Sequence, residues 1–445
     1  MLKRIASFTL ALAMCLLLAA CGNPAAPRSE DAPKEGAVQT SEEGKPSEAA
    51  PEAEPAEAAR EYEHPALQET DTLTWEFDAG TGTLSIHGQG PMRTYSGAAP
   101  EWEQYREQIL AVSLDDGITS VGAYAFYNYP HLAEARLPDS IEVIDVSAFD
   151  YDWELRTITI PASLKYVGSR AFYNTLLWEP ADLVFPEGCE YIGDQAFHSA
   201  LKSGGTVSLP ATLQYLGSQA FTNAFLSDFV VAAENAFFCS ENHAIYTKDR
   251  KELRMLAPDG AYAGEFRIPD GVEKISAECF NVIRGIETVD IPASVTEIEE
   301  GAFFSTFELK EIRVDEANPN YRSQNGMLLS KDGTLLLAWP DGIEATALAI
   351  PEGVERIGAY LFYGRTDGPY TVTLPEGVRE LGTMSLPSGM ASLTLPASLE
   401  KIDEYVFHDG ISVDTVTYRG TAAEWEKITI GDGNAALDSA VIRMN

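Results

Sequence analysis

The chain has 445 residues, with 31 Lys+Arg against 68 Asp+Glu, a formal charge of −37. That balance leaves no basic stripe to displace counterions from phosphates, so it argues against nucleic acid as a partner and against electrostatic attachment to anionic lipid. A hydrophobic share of 45% and an aromatic share of 10% exclude a wholly disordered chain, and five cysteines without a CxxC pair exclude a disulfide scaffold.

Lys3 and Arg4 precede an apolar run from Ile5 to Leu18. At 1.5 Å per residue the run reaches about 21 Å, short of a hydrocarbon core of roughly 30 Å, so it reads as an export signal over 1–21 and not as a membrane span. The sequence Leu18-Ala-Ala-Cys21 resembles a bacterial lipobox. That resemblance implies a diacylglyceryl group on the Cys21 sulfur and cleavage just before it, which anchors the protein to a membrane without a transmembrane helix. Residues 22–70 hold twelve acids, four bases and seven prolines. Such a stretch buries too little apolar surface to offset its ordering entropy and reads as a disordered Pro/Ala/Glu tether. With the signal at +2 and the tether at −8 set aside, residues 71–445 still carry −31.

Beyond residue 108 the sequence repeats itself. The pattern Pro-x-[Ser/Gly]-aliphatic-x-x-aliphatic-[Gly/Asp]-x-x-Ala-Phe runs from Pro138 to Phe149, Pro161 to Phe172, Pro186 to Phe197 and Pro210 to Phe221. It returns from Pro269, Pro292, Pro351 and Pro396, with a proline-less copy at Asp115 and a degenerate one at Pro375. Successive starts lie 23, 23, 25, 24, 59, 23, 59, 24 and 21 residues apart. A period held this closely marks a solenoid, in which no unit buries enough apolar surface to fold alone. Within each unit, Leu155-x-x-Ile158-x-Ile160 gives a short strand stopped by Pro161. The turn at Pro161-Ala-Ser163 leads to a second extended piece, Leu164-x-x-Val167, and then to one helical turn over Ser169-Arg-Ala-Phe172. Asn174 suits a left-handed exit. The phenylalanines at 126, 149, 172, 197, 221, 280, 303, 362 and 407 are expected to form one continuous interior stack.

Ile291-Pro292-Ala-Ser294-Val295-Thr-Glu-Ile298 with Ala302-Phe303 resembles the signature of the BspA-like leucine-rich-repeat family of bacterial surface proteins, and the likeness covers about 108–418. It implies a β-rich α/β solenoid, a rod of roughly 11–13 coils with short strands, one-turn helices and capped ends. The caps fall at 71–107, with a hairpin, and at 419–445. Both 59-residue gaps hold an extra element, about 237–258 and 320–340, each read as a β-hairpin inserted into the solenoid, and the two together suggest a duplication.

Catalytic chemistry finds no footing. The six histidines form no HExxH motif, and no GxSxG elbow or phosphate-binding GxxxxGK[ST] loop occurs. Gly431-Asp-Gly433-Asn-Ala-Ala436 fits GxGxxA but too little chain follows for a strand–helix–strand unit. Cys189 and Cys279 fall on core positions, and Cys239 reads as a free thiol. No metal, no cofactor and no enzyme activity is expected. Two aromatic columns stand out instead. Tyr166, Tyr191 and Tyr215 occupy equivalent sites in consecutive repeats, and Tyr127, Tyr173, His198, Phe304 and Tyr363 follow the Phe column. Tyrosine offers stiff, amphipathic contact area, so Tyr166, Tyr191, Tyr215, Tyr173 and His198 are the candidate binding surface, although such ladders also merely stabilise sheets.

Three functions remain open. The first is a lipid-anchored protein on the outer face of a cell membrane, from a Gram-positive bacterium, that binds a protein or glycan partner, as the family's adhesion-like roles imply. The second is a structural envelope spacer with no dedicated ligand. The third is an accessory module of a surface enzyme.

Overall fold

The structure is a computed structural model that describes residues 73–444, except 96–97, 178–181, 203, 344–346, 364, 366–367, 409–410, 412 and 414. Cys21, the signal and the tether lie outside the described residues.

The repeat folds as a parallel-strand solenoid of about 14 turns. Each regular coil contributes to three stacked walls. The first is built from the strands that precede each proline, such as Glu134–Arg136 paired with Thr157–Ile158. The second is built from two-residue strands, with Val143–Ile144, Tyr166–Val167, Tyr191–Ile192 and Tyr215–Leu216 in parallel register. The third is a ladder between the arcs that carry Ala-Phe. Arg170, Phe172 and Asn174 donate their amides to the carbonyls of Asp194, Ala196 and His198 in the next coil, at 2.9, 2.8 and 2.9 Å.

Local sequence sets each piece. The proline turn closes by an amide three residues on, as in Leu164 N to Pro161 O at 3.1 Å. Where Gly at the third motif position is followed by Ser or Thr in the next copy, the two work as partners between coils. Gly188, at φ 108°, presents its amide to Thr212 Oγ1 of the next coil at 2.9 Å. Gly377 does the same to Ser398 Oγ at 2.9 Å. The arc shows the expected single turn as i→i+3 bonds, Ala171 N to Gly168 O and Tyr173 N to Arg170 O. Arg170 and Asn174, at φ 58° and 56°, stop it from growing into a regular helix. Left-handed non-glycine residues cost roughly 1–2 kcal/mol each. The amides of these two residues are among the three that join the ladder, which is the compensation for holding them there.

All nine column phenylalanines are buried. Phe126, Phe149, Phe172, Phe197 and Phe221 stack in sequence at centroid spacings of 5.3, 5.3, 4.9 and 5.4 Å. The expected continuous stack nevertheless breaks at the inserts. Phe221 next meets Phe229, while Phe280 is met edge-on by Phe266 before stacking on Phe303 at 4.8 Å. The coil that holds the first insert closes with Ala257-Pro-Asp-Gly260, which offers no phenylalanine to the column.

The inserts explain the break. The expected hairpin is present in the first as Ala244–Thr247 against Glu252–Leu256, and a further antiparallel strand, Phe238–Glu241, precedes it. Glu252–Leu256 then rejoins the second wall beside Lys274–Ile275. The second insert repeats this with Tyr321–Gln324, Met327–Ser330 and Leu335–Ala338. Their middle strands are buried on both faces. Ile245 packs into one apolar cluster while Ala244 and Tyr246 pack into the next; likewise Leu328 faces one cluster and Met327 and Leu329 another. The inserts are partitions across the interior, and they divide the core into three.

Both ends are lidded. Trp102 stacks on Phe126 at 5.8 Å, with Trp75 and Tyr105 of the N-terminal hairpin and 3-10 turn around it. At the other end two short helices, Ala422–Trp425 and Ala435–Ser439, alternate with strands Thr429–Ile430 and Val441–Met444, which extend both strand walls by one coil. Asn434 Oδ1 accepts the Phe407 amide at 2.7 Å and so replaces the carbonyl a further coil would have supplied. Among the described residues no helix is long and apolar enough to cross a membrane.

Candidate binding surface

The second wall displays the Tyr166, Tyr191 and Tyr215 strip. Parallel register forces the rings to stack, at 4.6 and 4.5 Å between centroids and within 12° of parallel. Stacking covers the ring faces: Tyr166 is only 7% exposed, and Tyr191 and Tyr215 are half-buried. Tyr215 donates its hydroxyl to Asp194 Oδ1 at 3.1 Å. Further along, the same column carries Glu252, Lys274 and Glu297, with Lys274 Nζ 3.9 and 3.3 Å from the two carboxylates. The column is a self-satisfied ladder in both halves.

The arc wall is different. Tyr173 and His198 stack at 4.9 Å and 14°. Tyr127 does not reach them directly; Tyr151 bridges, 6.0 Å from Tyr127 and 5.7 Å from Tyr173, with Trp153 5.6 Å to its side and Tyr124 5.8 Å from Tyr127. Tyr124, Tyr127, Trp153 and His198 are half-buried, whereas Tyr151 and Tyr173 are buried. Phe304 and Tyr363, 5.0 Å apart, form a separate pair beyond the first insert. The structure therefore joins Tyr127, Tyr173 and His198 in one band and leaves the Tyr166 strip on another wall.

Polar groups organise the band from beneath. The Arg170 guanidinium lies 4.0 Å over the Tyr173 ring and donates from Nε to Asp150 Oδ2 at 2.9 Å, and Ser147 Oγ donates to the same oxygen at 3.0 Å. Burial pushes the Asp150 carboxyl up to about 6, with Arg170 and Ser147 opposing the shift. Asp152 is fully buried, accepts the Tyr129 amide at 2.7 Å, and is held well above the usual carboxylate range by burial. Burial, aided by the Arg170 and Lys202 cations, holds the His198 imidazole well below its ordinary range, so it is neutral.

The band opens at its N-terminal end into a cleft of about 250 Å³ lined by Tyr95, Tyr124, Tyr127, Tyr129, Glu103 and Arg106, among others. Arg106 and Glu103 pair at 3.0 Å, and Tyr129 donates its hydroxyl to Glu103 Oε2 at 3.2 Å. Ring faces beside a fixed donor–acceptor pair suit recognition, since aromatics supply area and the polar pair supplies direction. Among the described residues no group of three or more His, Cys, Asp or Glu is placed to hold a metal ion. Cys189 and Cys279 are buried and Cys239 is half-buried, all as free thiols.

Tyr151, Trp153, Tyr95 and Arg106 escaped the sequence reading because they belong to single coils or to the cap and not to a repeating column. The available signal was Phe149-Asp-Tyr-Asp-Trp153, the copy in which a tyrosine and a tryptophan follow the motif.

A model of the BspA type leucine rich repeat region, six copies long, matches residues 105–202, 179–248, 261–325 and 341–430. The chain belongs to the BspA-type leucine-rich-repeat family. Among solved structures, this family member is similar to a leucine-rich repeat protein from Eubacterium ventriosum, at 20% identity over 83% of this chain and 93% of that one, with a TM-score of 0.49. It is also similar to a leucine rich cell surface protein from Faecalibacterium prausnitzii, at 18% identity over 82% and 98% of the two chains, with a TM-score of 0.45. No curated protein matches the BspA-type chain.

Proposed function

We propose that this BspA-type protein is exported, held by a lipid on Cys21 at the outer face of a Gram-positive cell membrane, and binds a protein or glycan partner without catalysing a reaction. The supporting observation is the contact between Tyr124, Tyr127, Tyr151, Trp153, Tyr173 and His198 along the arc wall, running into the Tyr95–Arg106 cleft. Fixed aromatics bind at little conformational cost, since few rotors remain to be frozen. The Tyr166, Tyr191 and Tyr215 strip supports a second reading for its own wall. Stacked rings and paired charges there serve a spacer that carries the binding wall away from the membrane.

The test is binding of the chain carrying Cys21→Ser, which keeps it free of lipid, to glycan and matrix-protein arrays. A Tyr127→Ala, Trp153→Ala double variant is expected to weaken any hit at least about tenfold, as loss of central aromatic anchors does. Tyr191→Ala is expected to leave the hit unchanged. Absence of hits, or hits equally strong in the double variant, contradicts the assignment. In cells, Cys21→Ser should release the protein into the medium or stall its processing, and a normally processed, membrane-bound form would contradict the anchor.

A further inference from the structure

Where the arc wall passes the first insert, three coils meet at Phe225. The Lys202 amide bonds the Leu177 carbonyl at 2.9 Å and the Phe225 amide bonds the Leu201 carbonyl at 2.8 Å, so the two residues sit in adjacent coils. Arg284 comes from beyond the insert, its amide on Pro258 O at 2.8 Å. Both cations lie over the Phe225 ring, Lys202 Nζ 5.1 Å and the Arg284 guanidinium carbon 4.4 Å from its centroid. Arg284 is held by an ion pair with Asp259. Lys202 has no carboxylate partner among the described residues. Elsewhere Lys165, Lys251, Lys274, Lys310 and Lys401 each sit against a carboxylate, while Lys248 and Lys331 reach backbone carbonyls.

We propose that Lys202 and Arg284, gathered on Phe225, form a binding site for an oxyanion, a carboxylate or sulfate group borne either by an acidic sugar or by a free ion. Two like charges brought over one ring repel each other, and among the described residues only Arg284 has a countercharge. Burial and the nearby Arg284 cation lower the Lys202 ammonium to about 8. An oxyanion seated against Lys202 removes the deficit, and the half-buried setting strengthens each charge-assisted hydrogen bond over its value in water. The stacked Tyr173 and His198 rings lie on the same wall, with His198 near enough to feel the Lys202 charge, so a sugar ring carrying the anion has a surface to rest on. The oxyanion contact rests on Lys202 and Arg284 and stands apart from the cleft at Tyr95; only the resting surface for a sugar ring, Tyr173 and His198, is shared with the aromatic band.

The test follows the lysine itself. The full chain is reductively methylated with a carbon-13 label, and the Lys202 signal is assigned by its loss in Lys202→Gln and in Lys202→Arg. Its titration is then read in inorganic sulfate, acetate and glucuronate at fixed ionic strength made up with chloride. The Lys202 midpoint is expected to rise by about one to three pH units in a saturable manner. The melting midpoint should rise in the wild-type chain and not in Lys202→Gln. A response to glucuronate alone assigns an acidic sugar, and a response to sulfate or acetate assigns a simple oxyanion. A Lys202 midpoint that stays put in all three, or moves equally with chloride, overturns the proposal. The Tyr127→Ala, Trp153→Ala variant should keep the response, which separates this site from the band.

Discussion

Gly193 illustrates how closely neighbouring coils approach. A Cβ placed there would stand 2.5 Å from the backbone nitrogen of Ser169, and the same holds at Gly168 against Val146. The glycine in Ile192-Gly193 is a spacing requirement between coils. Gly193→Ala should lower stability by about 1–3 kcal/mol, read as a drop in the urea midpoint, because backbone cannot yield as a side chain does. His198 makes a pH-dependent prediction. Its imidazole is neutral in the fold, so below the unfolded value of 6.5 the unfolded chain takes up a proton that the folded chain refuses. Stability tied to this residue is intact above pH 7 and is lost as pH falls through 6.5 toward 5. Asp150, raised to about 6, works in the opposite sense and is common to wild type and variant. His198→Phe keeps a ring on Tyr173, so its melting midpoint should gain on the wild type between pH 7.5 and pH 5. A constant difference would contradict the neutral assignment. Tyr173 and His198 were legible as a column in the sequence. The Arg170 and Asp150 pair beneath them was not, because a charged residue on a motif's variable position reads as solvated until its burial is known.

At the scale of elements the two inserts are instructive. Their positions were legible from the 59-residue gaps and their hairpins from alternating apolar residues. Their role as partitions was not, because alternating apolar residues mark a hairpin without saying what each of its faces packs against. Burial of Ile245 toward one cluster and of Tyr246 toward another turns it into a partition. Each insert is anchored by a fully buried asparagine. Asn235 Nδ2 donates to Pro210 O and Leu213 O, and its Oδ1 accepts the Phe237 and Phe238 amides. Asn318 does the same with Pro292 O, Val295 O and the Asn320 and Tyr321 amides. Lys248 and Lys331 repeat the correspondence, each reaching a backbone carbonyl, of Ala233 and Glu316. These matches support the duplication. In sequence a lone asparagine signals only a turn, so its four bonds stayed hidden. Asn318→Ala strands several buried backbone groups and should cost at least about 2 kcal/mol by chemical denaturation. Asn320→Ala, which removes one exposed bond to Thr296 O, should cost under about 1 kcal/mol. Equal effects would contradict the anchor.

The whole described body is held by ladders that run from coil to coil, and no coil has a core of its own. The sequence conveyed this through its period, since a repeated pattern of about 23 residues with one phenylalanine each has no solution except stacking. It did not convey that the interior is divided in three, because the partition strands carry ordinary apolar alternation and only register decides which side each residue faces. The lids were legible in kind and not in detail: Trp102 and Asn434 act through geometry that no motif encodes.

Amide hydrogen exchange on the full chain reads the central claim most directly. Ladder bonding protects the arc amides of Phe126, Phe149, Phe172, Phe197 and Phe280, because each donates to the next coil's carbonyl. The account predicts strong protection recurring at these positions, together with the strand amides, at the spacing of the motif. Arc amides that exchange as fast as open loops, with protection confined to isolated blocks, would contradict a solenoid held together along its length.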